Sequence, residues 1–264
     1  MKVKKTALHN MVLVFLLIVV LSPGCSARVS PTSQPKTAVI STVPTTTLKG
    51  KTIIVTSPAD SGPDTLRHAL LFAHNGDTIT FDPAFFPPNV PVTIALSSGL
   101  TPITQGNLTI DASNAGVILD GANITDPSTD GLSVSSNGNT IRGLQIVNFP
   151  GHGVALQDGA QNNTIGGDQK VGIGLLGQGN LVSGNKADGI GISDGSRNTI
   201  MGNYIGTDIS GTIAWGNGAG IDMNGTNYNN LIGNLISGNK SYGIQLFKNS
   251  THNTITGNLV GTDR

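Results

Sequence analysis

Residues Gly179–Asp208 read GNLVSGNKADGIGISDGSRNTIMGNYIGTD, and residues Gly233–Asp263 read GNLISGNKSYGIQLFKNSTHNTITGNLVGTD. The second segment repeats the first with one inserted residue. Self-similarity of this kind predicts a solenoid, in which each repeat packs only against its neighbours. The copies also align residues within one chain, so a position that differs between them is not expected to be a catalyst required in every coil.

The repeating unit is a glycine with alternating apolar residues, a polar turn, an Asn-Thr-Ile strand and a final apolar pair. Equivalent first strands begin at Gly131, Gly153, Gly189, Gly220 and Gly243, with spacings of 22, 36, 31 and 23 residues. We interpret about 22 residues as one coil of three short strands, and the longer spacings as coils with loops inserted at 167–179 and 209–218. The apolar positions predict stacked Ile and Leu inside the coil, and the Gly-Asn steps predict ladders of Asn at the turns.

These repeats closely resemble the right-handed parallel β-helix repeats of the pectate-lyase-like superfamily over residues 98–264. The predicted fold class is therefore all-β, a right-handed parallel β-helix. The resemblance implies that a polysaccharide could lie along one outer face. Because the chain stops inside a coil, we expect the β-helix to be incomplete at its C-terminus.

An N-terminal cap is predicted at residues 50–97. Thr65-Leu66-Arg67-His68-Ala69 is similar to the cap of bacterial extracellular β-helix proteins named for a Cys-Ser-Leu-Arg-Glu-Ala motif. Apolar residues at helical spacing predict a capping helix at about 62–75, with Ser61 as its N-cap and Asn75-Gly76 at its end. Such a helix would cover the open end of the stacked strands.

The first 24 residues predict a secretory signal peptide, because a basic start is followed by the apolar run Met11–Leu21. Cys25, the only cysteine, follows that run and resembles the lipid-modified cysteine of bacterial lipoproteins. The alternative is ordinary cleavage near Ala27, which would remove Cys25. Residues 25–49 are rich in Ser, Thr and Pro and predict a tether. Either outcome places the protein outside the cytoplasm, and the first anchors it to the membrane through Cys25.

The charge of the chain argues against nucleic acid as a partner. There are 15 Lys and Arg residues against 15 acidic residues, every one of them Asp. Three of the basic residues lie within the predicted signal peptide, so the remainder is slightly acidic and has no basic stripe. The absence of Glu and the abundance of Gly, Asn, Ser and Thr also disfavour long helices.

Catalytic candidates are sparse along the strands. The outward positions of the first strands hold one carboxylate, Asp222, and no base. Gly151-His152-Gly153 resembles the Gly-His-Gly of polygalacturonase-type hydrolases, but the Asn-Thr-Asp and Asp-Asp steps of those enzymes are missing. The internal alignment places Asp188, Ala219 and Tyr242 at the position of His152, which favours a structural role. No catalytic residue is assigned, and Asp222 and His152 remain candidates.

Aromatic residues give a binding hypothesis. Trp215, Tyr228 and Tyr242 are candidates for stacking on a saccharide, although Trp215 could equally cover the flank of the β-helix. Asp208 follows a repeated Gly-Thr step, and we interpret it as a turn residue in preference to a calcium ligand. No metal site or cofactor is predicted.

Two functions remain open from the sequence. The first is a non-catalytic surface protein that binds glycan or cell-wall material, or that forms a rigid stalk. The second is a polysaccharide lyase or glycoside hydrolase that acts on a uronan. A carboxylate cluster near an Arg or Lys on one face would favour the second.

Overall fold

The computed structural model describes residues 50–262. The predicted signal peptide, the predicted lipid-attachment residue Cys25 and the predicted tether therefore lie outside the described residues. Within the described range, no helix has both the length and the apolar character needed to cross a membrane.

Three parallel sheets wind around one interior, and each sheet takes one strand from successive coils. The strands are numbered in chain order. The eight-stranded sheet contains β1 (Thr52–Val55), β2 (Thr78–Phe81), β4 (Thr109–Asp111), β7 (Thr140–Arg142), β10 (Thr164–Gly166), β13 (Thr199–Met201), β16 (Asn230–Ile232) and β19 (Thr254–Thr256). The seven-stranded sheet contains β3 (Val92–Ala95), β5 (Val117–Asp120), β8 (Leu144–Val147), β11 (Leu181–Ser183), β14 (Tyr204–Ile205), β17 (Leu235–Ile236) and β20 (Leu259–Val260). The five-stranded sheet contains β6 (Leu132–Val134), β9 (Val154–Leu156), β12 (Ile190–Ser193), β15 (Ile221–Asn224) and β18 (Ile244–Phe247). The predicted parallel β-helix is confirmed.

The interior is formed by columns of apolar side chains in register. Ile165 pairs with Ile200, and Ile200 pairs with Leu231 on the next coil. All three are fully buried. Burial of one such side chain stabilises the fold by about 1.5–3 kcal/mol, and the alternation along each strand ensures that only one face contributes.

Three ladders of Asn run parallel to the helix axis. In each ladder the Oδ1 of one Asn accepts hydrogen bonds from the backbone N–H and the side-chain amide of the Asn one coil earlier. The members are Asn139, Asn163, Asn198, Asn229 and Asn253; Asn180, Asn203, Asn234 and Asn258; and Asn185, Asn217 and Asn239. The Gly-Asn steps predicted the second and third ladders. The first ladder, at the start of the Asn-Thr-Ile strands, was not predicted from the sequence.

The capping helix is shorter than predicted. It spans Leu66–Phe72 rather than about 62–75, and its N-cap is Thr65, whose hydroxyl accepts from the backbone N–H of His68. Gly62 has φ 105° and Asp64 has φ 60°, and a right-handed helix cannot include such left-handed residues. Ser61 therefore precedes a turn instead of capping the helix. The apolar face still packs into the end of the interior, as predicted.

The two inserted loops cover parts of the outer surface. Leu176, from the 167–179 loop, belongs to a buried apolar cluster on the outer face of the seven-stranded sheet, together with Val147, Leu181, Tyr204 and Leu235. The 209–218 loop closes through an antiparallel bridge between Thr207 and Ala214.

Candidate functional site

A cleft of about 550 Å³ lies over the outer face of the five-stranded sheet. It runs across the four coils that contain β6, β9, β12 and β15. Its lining includes Asp130, His152, Ala155, Gln157, Asp158, Gly191, Ser193, Asp194 and Asp222. We call it the cleft throughout.

Asp130 and His152 line one side of the cleft. With Asp188 they form a row of residues that each precede the first glycine of a coil, here called the His152 row. Each side chain accepts a hydrogen bond from the backbone of the next coil. Asp130 Oδ1 accepts from the N–H of His152 at 2.8 Å, and His152 Nδ1 accepts from the N–H of Asp188 at 3.2 Å. Asp188 Oδ1 accepts from the N–H of Ala219 at 3.1 Å. The turn backbone therefore fixes the orientation of this row.

The hydrogen bond to His152 Nδ1 determines which tautomer the neutral ring adopts. A nitrogen that accepts from a backbone N–H carries no hydrogen, so the hydrogen of the neutral imidazole is on Nε2. Nε2 has no hydrogen-bond partner among the described residues. Nδ1 also lies 3.4 Å from Asp188 Oδ2.

The opposite wall contains Asp158 and Asp194, here called the Asp158 row. Both carboxylates lie in the turn that leaves the five-stranded sheet, and both residues have left-handed backbone, with φ 55° and 53°. Asp tolerates this conformation better than most residues, which explains its occurrence there structurally. Both residues are exposed, and neither forms an ion pair with a described residue.

The floor between the two rows is made by the outward positions Ala155, Gly191 and Asp222, which are in register on β9, β12 and β15. The imidazole of His152 lies over Gly191, since a Cβ built at Gly191 would be 3.2 Å from both Cε1 and Nδ1. Any larger residue at Gly191 would displace the ring. The absence of a side chain at Gly191 thus makes room for the imidazole of His152 on the floor of the cleft.

Asp222 is the least satisfied polar group on this floor. Its Oδ1 is buried and has no hydrogen-bond partner in the described residues. Burial raises the pKa of Asp222, and the negative charge of Asp188 raises it further, while His152 opposes the shift. A carboxyl with a raised pKa beside a second carboxylate is an arrangement typical of proton-transfer and sugar-binding sites.

The three aromatic candidates do not come together, and none of them lines the cleft. Tyr228 stacks on His252 with ring centroids 4.8 Å apart, and Arg197 lies 5.5 Å above its ring. Because its faces are occupied, Tyr228 offers a ligand only its edge and hydroxyl. Tyr242 is exposed and continues the His152 row two coils beyond Asp188, since its carbonyl accepts from Gly220 as that of Ala219 accepts from Gly189.

Trp215 lies in the 209–218 loop and is 38 % exposed. Its backbone N–H donates to Gly206 O and its carbonyl accepts from Gly184 N, both at 2.8 Å. The indole nitrogen lies against Gly184, where a Cβ would come within 2.5 Å of it. This geometry corresponds to the alternative in which Trp215 covers the flank of the β-helix.

Asp208 occupies the turn that the sequence predicts. Its Oδ1 accepts from the backbone N–H groups of Thr212 and Ile213, at 3.2 and 3.0 Å. The hydrogen bond from Ile213 is the main cause of a lowered pKa at Asp208. No group of three or more His, Cys, Asp or Glu side chains within residues 50–262 is arranged to hold a metal ion.

Sequence reasoning missed most of the cleft because it tested each candidate by itself and did not align the turn residues of all successive coils. The internal alignment placed Asp188 opposite His152, and the variation was interpreted as evidence against function. In a β-helix, however, neighbouring coils contribute different side chains to one site. An alignment extended one coil back, to Asp130, would have found the whole row.

Comparisons with known proteins agree with this architecture. A pectate lyase, Pel9A, superimposes with a TM-score of 0.51 at 16 % identity over 79 % of this chain and 55 % of its own. An alginate lyase from Paenibacillus sp. str. FPU-7 superimposes with a TM-score of 0.51 at 19 % identity over 79 % of this chain and 65 % of its own. The chain thus spans less than two thirds of either lyase, and at these identities the likeness shows the fold alone. No curated protein matches the sequence significantly. Residues 104–260 match the family described as right handed beta helix region, and the chain therefore belongs to the right-handed β-helix family.

Proposed function

We propose that this protein binds a glycan in the cleft over the five-stranded sheet, displayed outside the cytoplasm. The observation that carries the proposal is the cleft itself, whose lining brings His152 together with the carboxylates of Asp130, Asp158, Asp194 and Asp222. Carboxylate oxygens that face the cleft can accept hydrogen bonds from sugar hydroxyls. Conversely, His152 Nε2–H is a donor that still needs an acceptor.

The shape and chemistry of the cleft suit a saccharide. Four coils at about 4.8 Å spacing give a length of roughly 14 Å, enough for more than one sugar ring. Asp130 and His152 line one side of the cleft and Asp158 and Asp194 line the other, so a saccharide could form hydrogen bonds on both sides. Tyr242, further along the His152 row, could extend the contact.

Extracytoplasmic display is part of the proposal. The signal peptide predicted at residues 1–24 would direct export, and a lipid on Cys25 would hold the tether and the β-helix at the membrane surface. A glycan-binding face on a rigid solenoid would then be presented to cell-wall or extracellular polysaccharide.

Hydrolysis of the bound glycan is a second candidate function, supported by the raised pKa of Asp222 next to Asp188. A glycosidase uses one protonated carboxyl as general acid and a second carboxylate as base or nucleophile. The cleft is less suited to a lyase acting on a uronan, because no Lys or Arg among its described lining residues could neutralise the uronate.

The proposal is tested by titrating the purified protein with neutral, amino-bearing and acidic oligosaccharides in a calorimeter. We expect at least one class to bind with a Kd below about 1 mM, the range of a small polar site. If none of the three classes produces heat at that concentration, the proposal of glycan binding is wrong. The remaining function from the sequence analysis is then a rigid stalk.

A further inference from the structure

We propose that the cleft selects glycans that carry free amino groups, so that the ligand is a polymer or oligomer of amino sugars and not a uronan. This inference rests on the proposed glycan-binding function and adds the charge class of the ligand. It follows from the distribution of charge around the cleft and from the partners that its carboxylates have and lack.

The lining of the cleft is strongly one-sided in charge. It includes Asp130, Asp158, Asp194 and Asp222, and the described lining residues include no Lys or Arg. Clefts lined by one sign of charge raise the local concentration of the opposite ion and repel the same sign. Pectate and alginate are polyanions, so ligands like those in the names of the two similar lyases would be repelled here.

The carboxylates that line the cleft either accept hydrogen bonds from neutral groups or have no hydrogen-bond donor among the described residues. Asp130 Oδ2 accepts from Ser133 Oγ and Gln157 Nε2, at 3.2 and 3.0 Å. Arg67 and Arg142, which pair with Asp60 and Asp111, compensate carboxylates elsewhere in the described part of the chain. The charge inside the cleft is therefore left for a ligand to neutralise.

The arrangement of these charges matches a chain of ammonium groups along the β-helix axis. The His152 row and the Asp158 row form facing walls, and Asp158 and Asp194 are one coil apart, at about 4.8 Å. An ammonium group can donate three hydrogen bonds and could therefore bridge neighbouring carboxylates. Asp222, on the floor between the walls, adds a further carboxylate to the same region.

The experiment compares three oligomers of equal length: glucosamine, N-acetylglucosamine and galacturonate. At low salt and neutral pH we expect the glucosamine oligomer to bind about tenfold more tightly than the N-acetylated one, and the galacturonate oligomer to bind most weakly. The preference should shrink at about 1 M salt, where the Debye length is about 3 Å.

A double variant, Asp158→Asn with Asp194→Asn, should abolish most of the preference for the amine while leaving the fold intact. Asn accepts left-handed backbone as readily as Asp, so the substitution changes charge and not conformation. Asp64→Asn is the matched control, because Asp64 is also exposed with φ 60° but lies in the N-terminal cap. The control should bind like the wild type.

The outcomes separate the two proposals. Equal or tighter binding of the N-acetylated oligomer would overturn the amino-sugar inference while leaving glycan binding in place. Tightest binding of the galacturonate oligomer would overturn the charge argument altogether. Failure of all three oligomers to bind would remove the proposed function itself.

Discussion

Asn198→Ala is expected to lower the free energy of unfolding by about 3–5 kcal/mol. Asn198 is fully buried in the first Asn ladder. Its Oδ1 accepts from the backbone and side-chain amides of Asn163, at 2.9 and 3.1 Å. Its Nδ2 donates to Ala160 O and to Asn229 Oδ1, at 2.9 and 3.1 Å. Alanine removes all four hydrogen bonds and leaves their partners buried in the turn.

The measurement is urea denaturation followed by circular dichroism, with Asn89→Ala as the control. Asn89 is exposed in a loop of the cap, so its substitution should change stability by no more than about 0.5 kcal/mol. A loss at Asn198 as small as that at Asn89 would show that the ladders do not hold the coils together.

Asp222→Asn is expected to reduce glycan hydrolysis at least about 100-fold, the lower range for removal of a general acid. An amide has nearly the shape of the carboxyl but cannot transfer a proton, so binding should change much less than turnover. The measurement is release of reducing ends from whichever oligomer binds. Hydrolysis that continues at the wild-type rate in the variant would rule out Asp222 as the acid.

The same substitution is expected to raise the Tm of the protein at neutral pH. Burial first, and then the charge of Asp188, raise the pKa of Asp222 above its ordinary value of 3.8. A raised folded-state pKa means that ionisation costs stability as pH rises, so the gain from Asn is full above that raised pKa and vanishes below about pH 3.8. Thermal melts of the wild type and the variant at a series of pH values measure this difference in stability.

Asp111→Asn is expected to change the Tm in the opposite direction in the same thermal melts. Burial raises the pKa of Asp111, but hydrogen bonds from Arg142 and Ser113 outweigh it and hold the pKa below its ordinary value. A lowered pKa contributes stability above about pH 3.8 that is lost as pH falls through the folded-state value. Asp111→Asn should therefore lower the Tm at neutral pH. A stabilised Asp111→Asn, or a destabilised Asp222→Asn, would contradict this assignment of charges.

The fold could be predicted from the sequence because its determinants are local and repeated. Alternating apolar residues after each glycine can bury only one face of a strand, and Gly-Asn steps provide the left-handed turns between strands. The predicted start of the capping helix was wrong because the left-handed backbone of Gly62 and Asp64 excludes these two residues from the helix. The sequence alone does not give the φ angles of these two residues.

The cleft could be predicted only in part. Asp222 and His152 were singled out, and the structure places both in the cleft. Asp130, Asp158 and Asp194 were missed because they lie in turns, where Asp is common for conformational reasons alone. The inserted loops also change the coil spacing, so the proximity of these turns to one another depends on the register of whole coils.

Binding of a glycan in the cleft can be tested by blocking the cleft with a bulky side chain. Ser193 is exposed, lies on β12 and lines the cleft, so Ser193→Trp would fill the cleft from a position where the fold tolerates bulk. Thr254→Trp places the same side chain at an exposed position of β19 on another face. With the oligomer that binds best, the Kd of Thr254→Trp should match the wild type and Ser193→Trp should bind at least about tenfold more weakly. Unchanged binding by a folded Ser193→Trp variant would show that the glycan binds outside the cleft.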